Sequence, residues 1–347
     1  MTFDVPVVDI APYVGDGSLQ QRTEVAAAMD RACTELGFVQ VVGHGVPDEV
    51  TAGLAAAIDA FFGLPLAEKK TWIAPPGANR GYSAPKSESL SLSLGVESAT
   101  RMNDFFEAYN VGVQAADFPG LALSEADYGT NLWPDVPGFR SQVEAYFAEA
   151  GRVARTLTTI FADALGLPQG FFSRFTDHSI DVLRMNNYAL EPGEVTLDGD
   201  LTGMGEHTDF GIVTVLWADQ VRGLQVLATQ DDRVGWHDVS PAEGALLVNL
   251  GDLTSRWTNE RWLSTLHRVK PPIVAGAVQR RRSAAYFHDG NADAVISTLA
   301  GCVDADHPDL YVPVTVAEHI SAKLAGSRAG RLNDDAVRDA ARVRAAT

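Results

Sequence analysis

The sequence predicts an α+β chain: helices first, an antiparallel β sandwich or barrel in the middle, and a helical tail last. Three observations predict it. Apolar residues recur at spacings of three or four from about Gly138 to Leu165. From about Ser179, short β-branched runs alternate with turn residues. Ala-rich stretches of helical character flank these segments. The helical and β halves are expected to share one core.

Each element has its own reason. Val5 to Ile10 reads as a short strand. Ser18 to Leu36 reads as a helix, with Ser18 as N-cap and Gly37 just past its end. Phe38 to Val42 is a β-branched strand stopped by Gly43-His44-Gly45, and a helix follows from about Pro47 to Phe62. Residues 73–135 are rich in Gly, Pro, Ser and Asn and have no sustained period, which marks a functional or mobile segment. The spine helix carries Phe139, Val143, Tyr146, Ala150, Val153, Leu157, Ile160 and Ala164 on one face. Strands are expected at Val182 to Tyr188, Ile212 to Trp217, Leu224 to Ala228, Ala245 to Leu250, Ser264 to Val269 and Ser283 to His288. Val316 to Arg344 is polar and Ala-rich, a helix expected to pack on the outside. The organisation is therefore 1–135, an N-terminal region with a long irregular segment; 136–178, spine helix and connector; 179–292, β core; and 293–347, C-terminal tail and helix.

Composition narrows the function. The chain has 347 residues, 46% hydrophobic and 21% charged, enough for a sizeable core without staples. Lys plus Arg number 27 against 45 Asp plus Glu, a net charge of −18. That field repels phosphate backbones and anionic headgroups, so neither nucleic acid nor membrane is an expected partner. Cys33 and Cys302 form no CxxC pair, which fits a reducing cytoplasm. No signal-peptide pattern opens the chain, and no apolar run approaches the roughly 18 residues of a bilayer span. A cytoplasmic monomer acting on a small molecule is the expectation.

The sharpest local feature is Gly205-Glu206-His207-Thr208-Asp209-Phe210-Gly211. His207 and Asp209 are i and i+2, so on a strand or at its end they point the same way and can grip one metal. A third ligand must come from elsewhere. His267, in the β-branched run Ser264 to Val269, leads, although spacing alone does not single it out among eight histidines. Two His and one carboxylate form the facial triad of non-haem Fe(II), which leaves coordination positions open. Fourteen residues on, Arg281 and Ser283 are again i and i+2 and offer a guanidinium fork and a hydroxyl to a carboxylate. Ala285 and Phe287 continue that face. An inward Arg needs an anionic partner, because an unpaired buried charge is very costly. HExxH, GxSxG and P-loop patterns are absent.

Ordered motifs along the chain now carry a resemblance. Ala32 to Pro47 (ACTELGFVQVVGHGVP), Phe61 to Pro65, His207 to Gly211, Gly223 to Val226, Gly244 to Asp252, Arg256 to Asn259, Ser264 to Val269 and Arg281 to Ser283 follow one another as they do in one family. The chain resembles the isopenicillin N synthase-like family of 2-oxoglutarate- and Fe(II)-dependent oxygenases. The resemblance implies a double-stranded β-helix (jelly-roll) core with outer helices. It implies Fe(II) on His207, Asp209 and His267, the distal carboxylate of 2-oxoglutarate on Arg281 and Ser283, and O2 as second co-substrate. Tyr188 of the Asn186-Asn187-Tyr188 run matches the family tyrosine beside that co-substrate, with Asn186 as its neighbour. This chain has Asn187 and Ala189 where the family commonly has an aromatic and a Pro. The resemblance also brings the irregular segment near substrate, making Arg80, Tyr82, Arg101 and Phe106 candidate contacts, with Phe210 in the pocket wall. His44, Trp236, His237 and Asp252 are read as structural.

The implied reaction oxidises an unactivated C–H bond, by hydroxylation or by desaturation or ring closure, and releases succinate and CO2. Asp209 argues against a halogenase, whose relatives lack that carboxylate. Three alternatives stay open on sequence: an isopenicillin N synthase-type oxidase that uses no 2-oxoglutarate, a non-catalytic jelly-roll binding protein, and a hydrolytic zinc site.

Overall fold

A computed structural model describes residues 3–75, 77–95, 104–189, 203–230, 233–271, 273–274 and 277–329, with isolated positions at 336 and 341. The chain runs β1 (Val7–Asp9), α1 (Ala11–Val14), α2 (Leu19–Glu35), β2 (Phe38–Val42), α3 (Asp48–Phe62), α4 (Leu66–Lys69), β3 (Gly81–Ser83), β4 (Glu107–Gly112), α5 (Phe139–Ala164) and α6 (Ser173–Thr176). The β core follows as β5 (Val182–Tyr188), β6 (Met204–His207), β7 (Val213–Ala218), β8 (Leu224–Gln230), β9 (Arg233–Asp238), β10 (Leu246–Leu250), α7 (Asp252–Trp257), β11 (His267–Val269), β12 (Ile273–Val274), β13 (Ala277–Val278) and β14 (Arg281–His288). β15 (Val295–Ile296), β16 (Val314–Thr315) and α8 (Val316–Ala329) follow.

Local chemistry sets the boundaries. Ser18 caps α2 through a reciprocal box: its hydroxyl oxygen accepts from Gln21 N, and the Gln21 side chain accepts from Ser18 N at 2.9 Å. Gly37 then turns the chain with φ +70°, and a Cβ there would lie 2.0 Å from Leu263 O, so only glycine fits.

Two sheets form the jelly roll. One has the order β1-β2-β10-β7-β14-β5-β4-β3, the other β6-β11-β8-β9. Strands from both halves of the chain thus share one sheet. Alternation splits its two faces. Leu183, Met185, Val213, Val215, Ala284 and Tyr286 join the core built on α5, while Arg184, Asn186, Tyr188, Thr214, Arg281 and Ser283 line a cavity on the other face. The spine supplies the apolar layer: Val143, Tyr146, Val153, Leu157 and Ile160 are completely buried. Leu157→Ala should lower unfolding free energy by about 2–5 kcal/mol with the fold retained, read from urea denaturation.

Some expectations need correcting. The irregular 73–135 segment contains β3 and β4, which close one edge of the large sheet. Between the expected strands at Ser264 to Val269 and Ser283 to His288 the β12–β13 hairpin intervenes, and β14, which already begins at Arg281, belongs to the other sheet. The tail helix does not merely coat the exterior, because Ile320, Leu324, Ser327 and Arg328 of α8 line the cavity. Among the described residues no single helix is long and apolar enough to cross a membrane.

Candidate active site

The register of the small sheet brings the two histidines together. His267 in β11 sits directly opposite His207 in β6, and their rings are 4.2 Å apart between centroids. Asp209 follows just beyond the end of β6. Its Oδ1 lies 3.8 Å from His207 Nε2 and 3.6 Å from His267 Nε2. Ligand atoms of all three buried residues lie within 4.8 Å of one another.

Each donor is aimed by a neighbour. His207 Nδ1 contacts Gly205 O at 2.8 Å and His267 Nδ1 contacts Thr265 O at 3.0 Å. A carbonyl only accepts, so each Nδ1 carries the proton and each Nε2 keeps a free lone pair. Burial, then repulsion from His267, pulls the His207 pKa well below the ordinary histidine range, which favours the neutral, ligating form. Asp209 Oδ2 accepts from Thr214 Oγ1 at 2.5 Å and Asn249 Nδ2 at 2.6 Å, leaving Oδ1 to face the imidazoles. The turn that holds Asp209 is pressed against α7: Asp252 N donates to Asp209 O at 2.8 Å. A Cβ on Gly251 would lie 2.1 Å from Gly211 O, so the glycine at 251 permits this approach. Two imidazole nitrogens and one carboxylate oxygen suit Fe(II), and the carbonyl, hydroxyl and amide partners that orient them are what such a site needs. Asn249→Ala should weaken Fe(II) binding roughly 10–100-fold, read by anaerobic equilibrium dialysis.

The large sheet supplies the rest. Its register sets Arg281 opposite Tyr188 and Ser283 opposite Asn186, all on the cavity face. Arg281 is 2% exposed, and its Nε has no hydrogen-bond partner. Its guanidinium carbon lies 5.3 Å from the Tyr188 ring centroid. A buried, incompletely satisfied guanidinium beside a hydroxyl is the environment a carboxylate would complete. The cavity holds about 970 Å³, part of it open to solvent, and both constellations line it.

Other candidates fall differently. Phe210 lines the cavity. Phe106 is buried against Tyr188 at 5.8 Å and does not reach the lining. Arg80 and Tyr82 lie off the triad's cavity, in an adjoining outer cleft. The Arg80 guanidinium is pinned to the carbonyls of Asn79, Val113 and Gly129, and Tyr82 donates to Glu107 at 2.6 Å. Arg101 lies outside the described residues. Asn186 accepts from Arg184 Nε at 3.2 Å. His44 meets Gly244 O at 2.9 Å, and Trp236 and His237 pack on Arg268 and Phe3. Asp252 does more than order a turn: it pairs with Lys323 at 2.8 Å and joins α8 to the Asp209 turn. Thr214, Asn249 and Lys323 went unpredicted. Only the cavity-facing phase of β7 and β10 could have signalled the first two.

Buried Glu88 also lines the cavity. Burial would raise its pKa, but Arg184 and Arg328 outweigh this and hold it at about 2. A depressed carboxylate stabilises the fold above its unfolded pKa, and that contribution fades as pH falls from about 4.5 toward 2. Glu88→Gln should therefore flatten the acid limb of the stability profile, measured as urea midpoint against pH.

Residues 5–136 match a family model described as "non-haem dioxygenase in morphine synthesis N-terminal", and residues 180–290 one described as "2OG-Fe(II) oxygenase superfamily". The chain is 32% identical to a 2-oxoglutarate-Fe(II) type oxidoreductase, hxnY, of Emericella nidulans, covering 91% of this chain and 88% of the relative. It is 33% identical to the validamycin A dioxygenase of Streptomyces hygroscopicus subsp. limoneus, covering 91% and 86%. Among solved structures, a full-length Neurospora crassa protein in complex with alpha-KG and 5-formyluracil aligns with a TM-score of 0.77 and 27% identity, covering 92% of this chain and 96% of that one.

Proposed function

The chain belongs to the 2OG-Fe(II) oxygenase superfamily, and from that premise we propose a site assignment and a reaction outcome for it. The protein is a 2-oxoglutarate-dependent non-haem iron dioxygenase acting on a small molecule. We assign the Fe(II) to His207, Asp209 and His267, and the distal carboxylate of 2-oxoglutarate to Arg281 and Ser283, with Tyr188 and Asn186 alongside. The observation that carries the assignment is the partnerless Arg281 Nε in the cavity that also holds the triad.

Bound Fe(II) supplies O2 activation coupled to oxidative decarboxylation of 2-oxoglutarate to succinate and CO2. The chain's own residues do the placing. Gly205 O and Thr265 O keep the two Nε2 atoms unprotonated. Thr214 and Asn249 prevent Asp209 from rotating. The single carboxylate offsets part of the dication's charge. Arg281 and Ser283 fix one end of the co-substrate, and the apolar side chains of Phe210, Phe287 and Leu324 keep water scarce. Substrate is thereby held near the reacting centre, the main contribution a protein makes to such chemistry.

Hydroxylation of a C–H bond is the outcome we propose. We place the enzyme in the cytoplasm as a monomer without nucleic-acid or membrane partners, a reading supported by the −18 charge and two free cysteines. The test is co-product stoichiometry. With Fe(II), 2-oxoglutarate and a turned-over substrate, succinate should form one-for-one with oxidised product. Product formed without succinate would instead indicate an oxidase that draws all its electrons from the substrate.

A further inference from the structure

Two guanidinium groups share one carboxylate in the cavity wall. Arg184 Nη2 lies 2.7 Å from Glu88 Oε2, and Arg328 Nε lies 3.4 Å from Glu88 Oε1. Arg184 is four residues along β5 from Tyr188, the cross-strand partner of Arg281. At about 3.3 Å per residue that is roughly 13 Å, so this pair is distinct from the co-substrate arginine. Glu88, Asn110, Leu324 and Arg328 line both the cavity and the outer cleft, which puts them at the neck between the two.

The amides at this neck have fixed orientations. Arg328 Nη2 donates to Asn79 Oδ1 at 2.7 Å, and Asn110 Nδ2 donates to the same oxygen at 2.7 Å. Flipping Asn110 would set two acceptors against each other, so its Oδ1 is the free end. That buried Oδ1 has no donor. Neighbouring carboxyl groups do not restore charge balance. Asp252 is matched by Lys323 at 2.8 Å. Burial and the charge of Asp181 favour the neutral form of Asp289. Burial also pushes Asp104 up to about 7. In a chain of charge −18, a local excess of guanidinium at a cavity neck is set against the overall field.

We propose that Arg184 and Arg328, with Asn79 and Asn110, form the specificity-determining subsite, and that the primary substrate is a small carboxylate-bearing molecule. Its anion completes the charge of the arginine pair. An O–H or N–H on it satisfies Asn110 Oδ1. Its apolar body lies against Phe210, Ile320 and Leu324. This deepens the oxygenase reading and rests on it.

The test uses the full chain loaded anaerobically with Fe(II) and 2-oxoglutarate. Calorimetric titrations compare phenylacetate, 4-phenylbutyrate and decanoate with their primary amides and primary amines. At least one acid should bind roughly tenfold or more tighter than both neutral and cationic counterparts, with the 2-oxoglutarate absorption band retained. Arg328→Gln should remove that preference, Arg328→Lys should restore part of it, and neither should weaken the band. Equal binding of acids and amides, a preference for amines, displacement of 2-oxoglutarate by the acids, or a preference unchanged in Arg328→Gln overturns the proposal. The two readings fail separately. Acid selectivity lost at Arg328 in a protein that forms no band keeps the subsite and removes the co-substrate site; a band without acid selectivity does the reverse.

Discussion

Asp209→Ala is expected to abolish iron-dependent turnover. Asp209 Oδ1 is the only charged donor atom facing the two imidazoles among the described residues, at 3.8 Å and 3.6 Å from their Nε2 atoms. Without it, two neutral nitrogens would have to hold a dication in a buried site. Loss of metal-supplied stabilisation amounts to several kcal/mol, on the order of a thousandfold in rate or more. The same substitution strands the Thr214 hydroxyl and the Asn249 amide, so circular dichroism must accompany it. Asp209→Asn separates the effects. It keeps the shape and loses the charge, and should bind Fe(II) far more weakly while folding normally. Iron content by atomic absorption and succinate yield are the readouts. Wild-type iron content with wild-type turnover in either variant would remove Asp209 from the site.

Arg281→Ala carries the second large effect. The side chain is buried, its Nε is partnerless, and Ser283 and Tyr188 flank it on the same sheet face. A charge-assisted bond to a carboxylate in such surroundings is worth about 1.5–3 kcal/mol, so the KM for 2-oxoglutarate should rise roughly 10–100-fold. Iron content should stay unchanged, because Arg281 touches none of the triad's fixed partners. Arg281→Lys should recover only part of the affinity, since an ammonium cannot reproduce a planar fork. Ligand-induced stabilisation gives an independent reading: 2-oxoglutarate with Fe(II) should raise the Tm of the wild type and leave the Ala variant almost unmoved. An unchanged KM in Arg281→Ala would place the co-substrate carboxylate elsewhere.

Much of this was legible because strand periodicity reports directions. His207 with Asp209, and Arg281 with Ser283, are i,i+2 pairs, and a period of two puts such pairs on one face whatever the tertiary structure. The spine helix was equally open, since its apolar stripe repeats over the whole of Phe139–Ala164. β4 was hidden for the opposite reason. All six residues of Glu107–Gly112 are buried, including two polar ones. Glu107 is accommodated by Lys69 and Tyr82, and Asn110 by Asn79. Buried polar residues with remote partners erase the alternation that marks a strand.

The same limit hid the substrate side. Glu88, Arg184 and Arg328 meet from an irregular segment, strand β5 and helix α8, and no local spacing relates them. Arg80 and Tyr82, read as candidate substrate contacts, line the outer cleft and not the triad's cavity, and their heads are already committed to carbonyls and to Glu107. Thr214 and Asn249 look like ordinary strand residues in sequence. They gain a role only because neighbouring strands β7 and β10 pair Thr214 directly with Asn249, setting both beneath Asp209.

The central claim is that one cavity holds both Fe(II) and 2-oxoglutarate on these residues. Anaerobic visible spectroscopy of the full chain tests it most directly. Fe(II) is added first, then 2-oxoglutarate, with Arg281→Ala and Asp209→Ala in parallel. The account predicts a weak charge-transfer band that requires both additions, fades in Arg281→Ala at matched co-substrate and is absent in Asp209→Ala. A band of full strength in both variants, or confirmed iron binding with no band in the wild type, would contradict it.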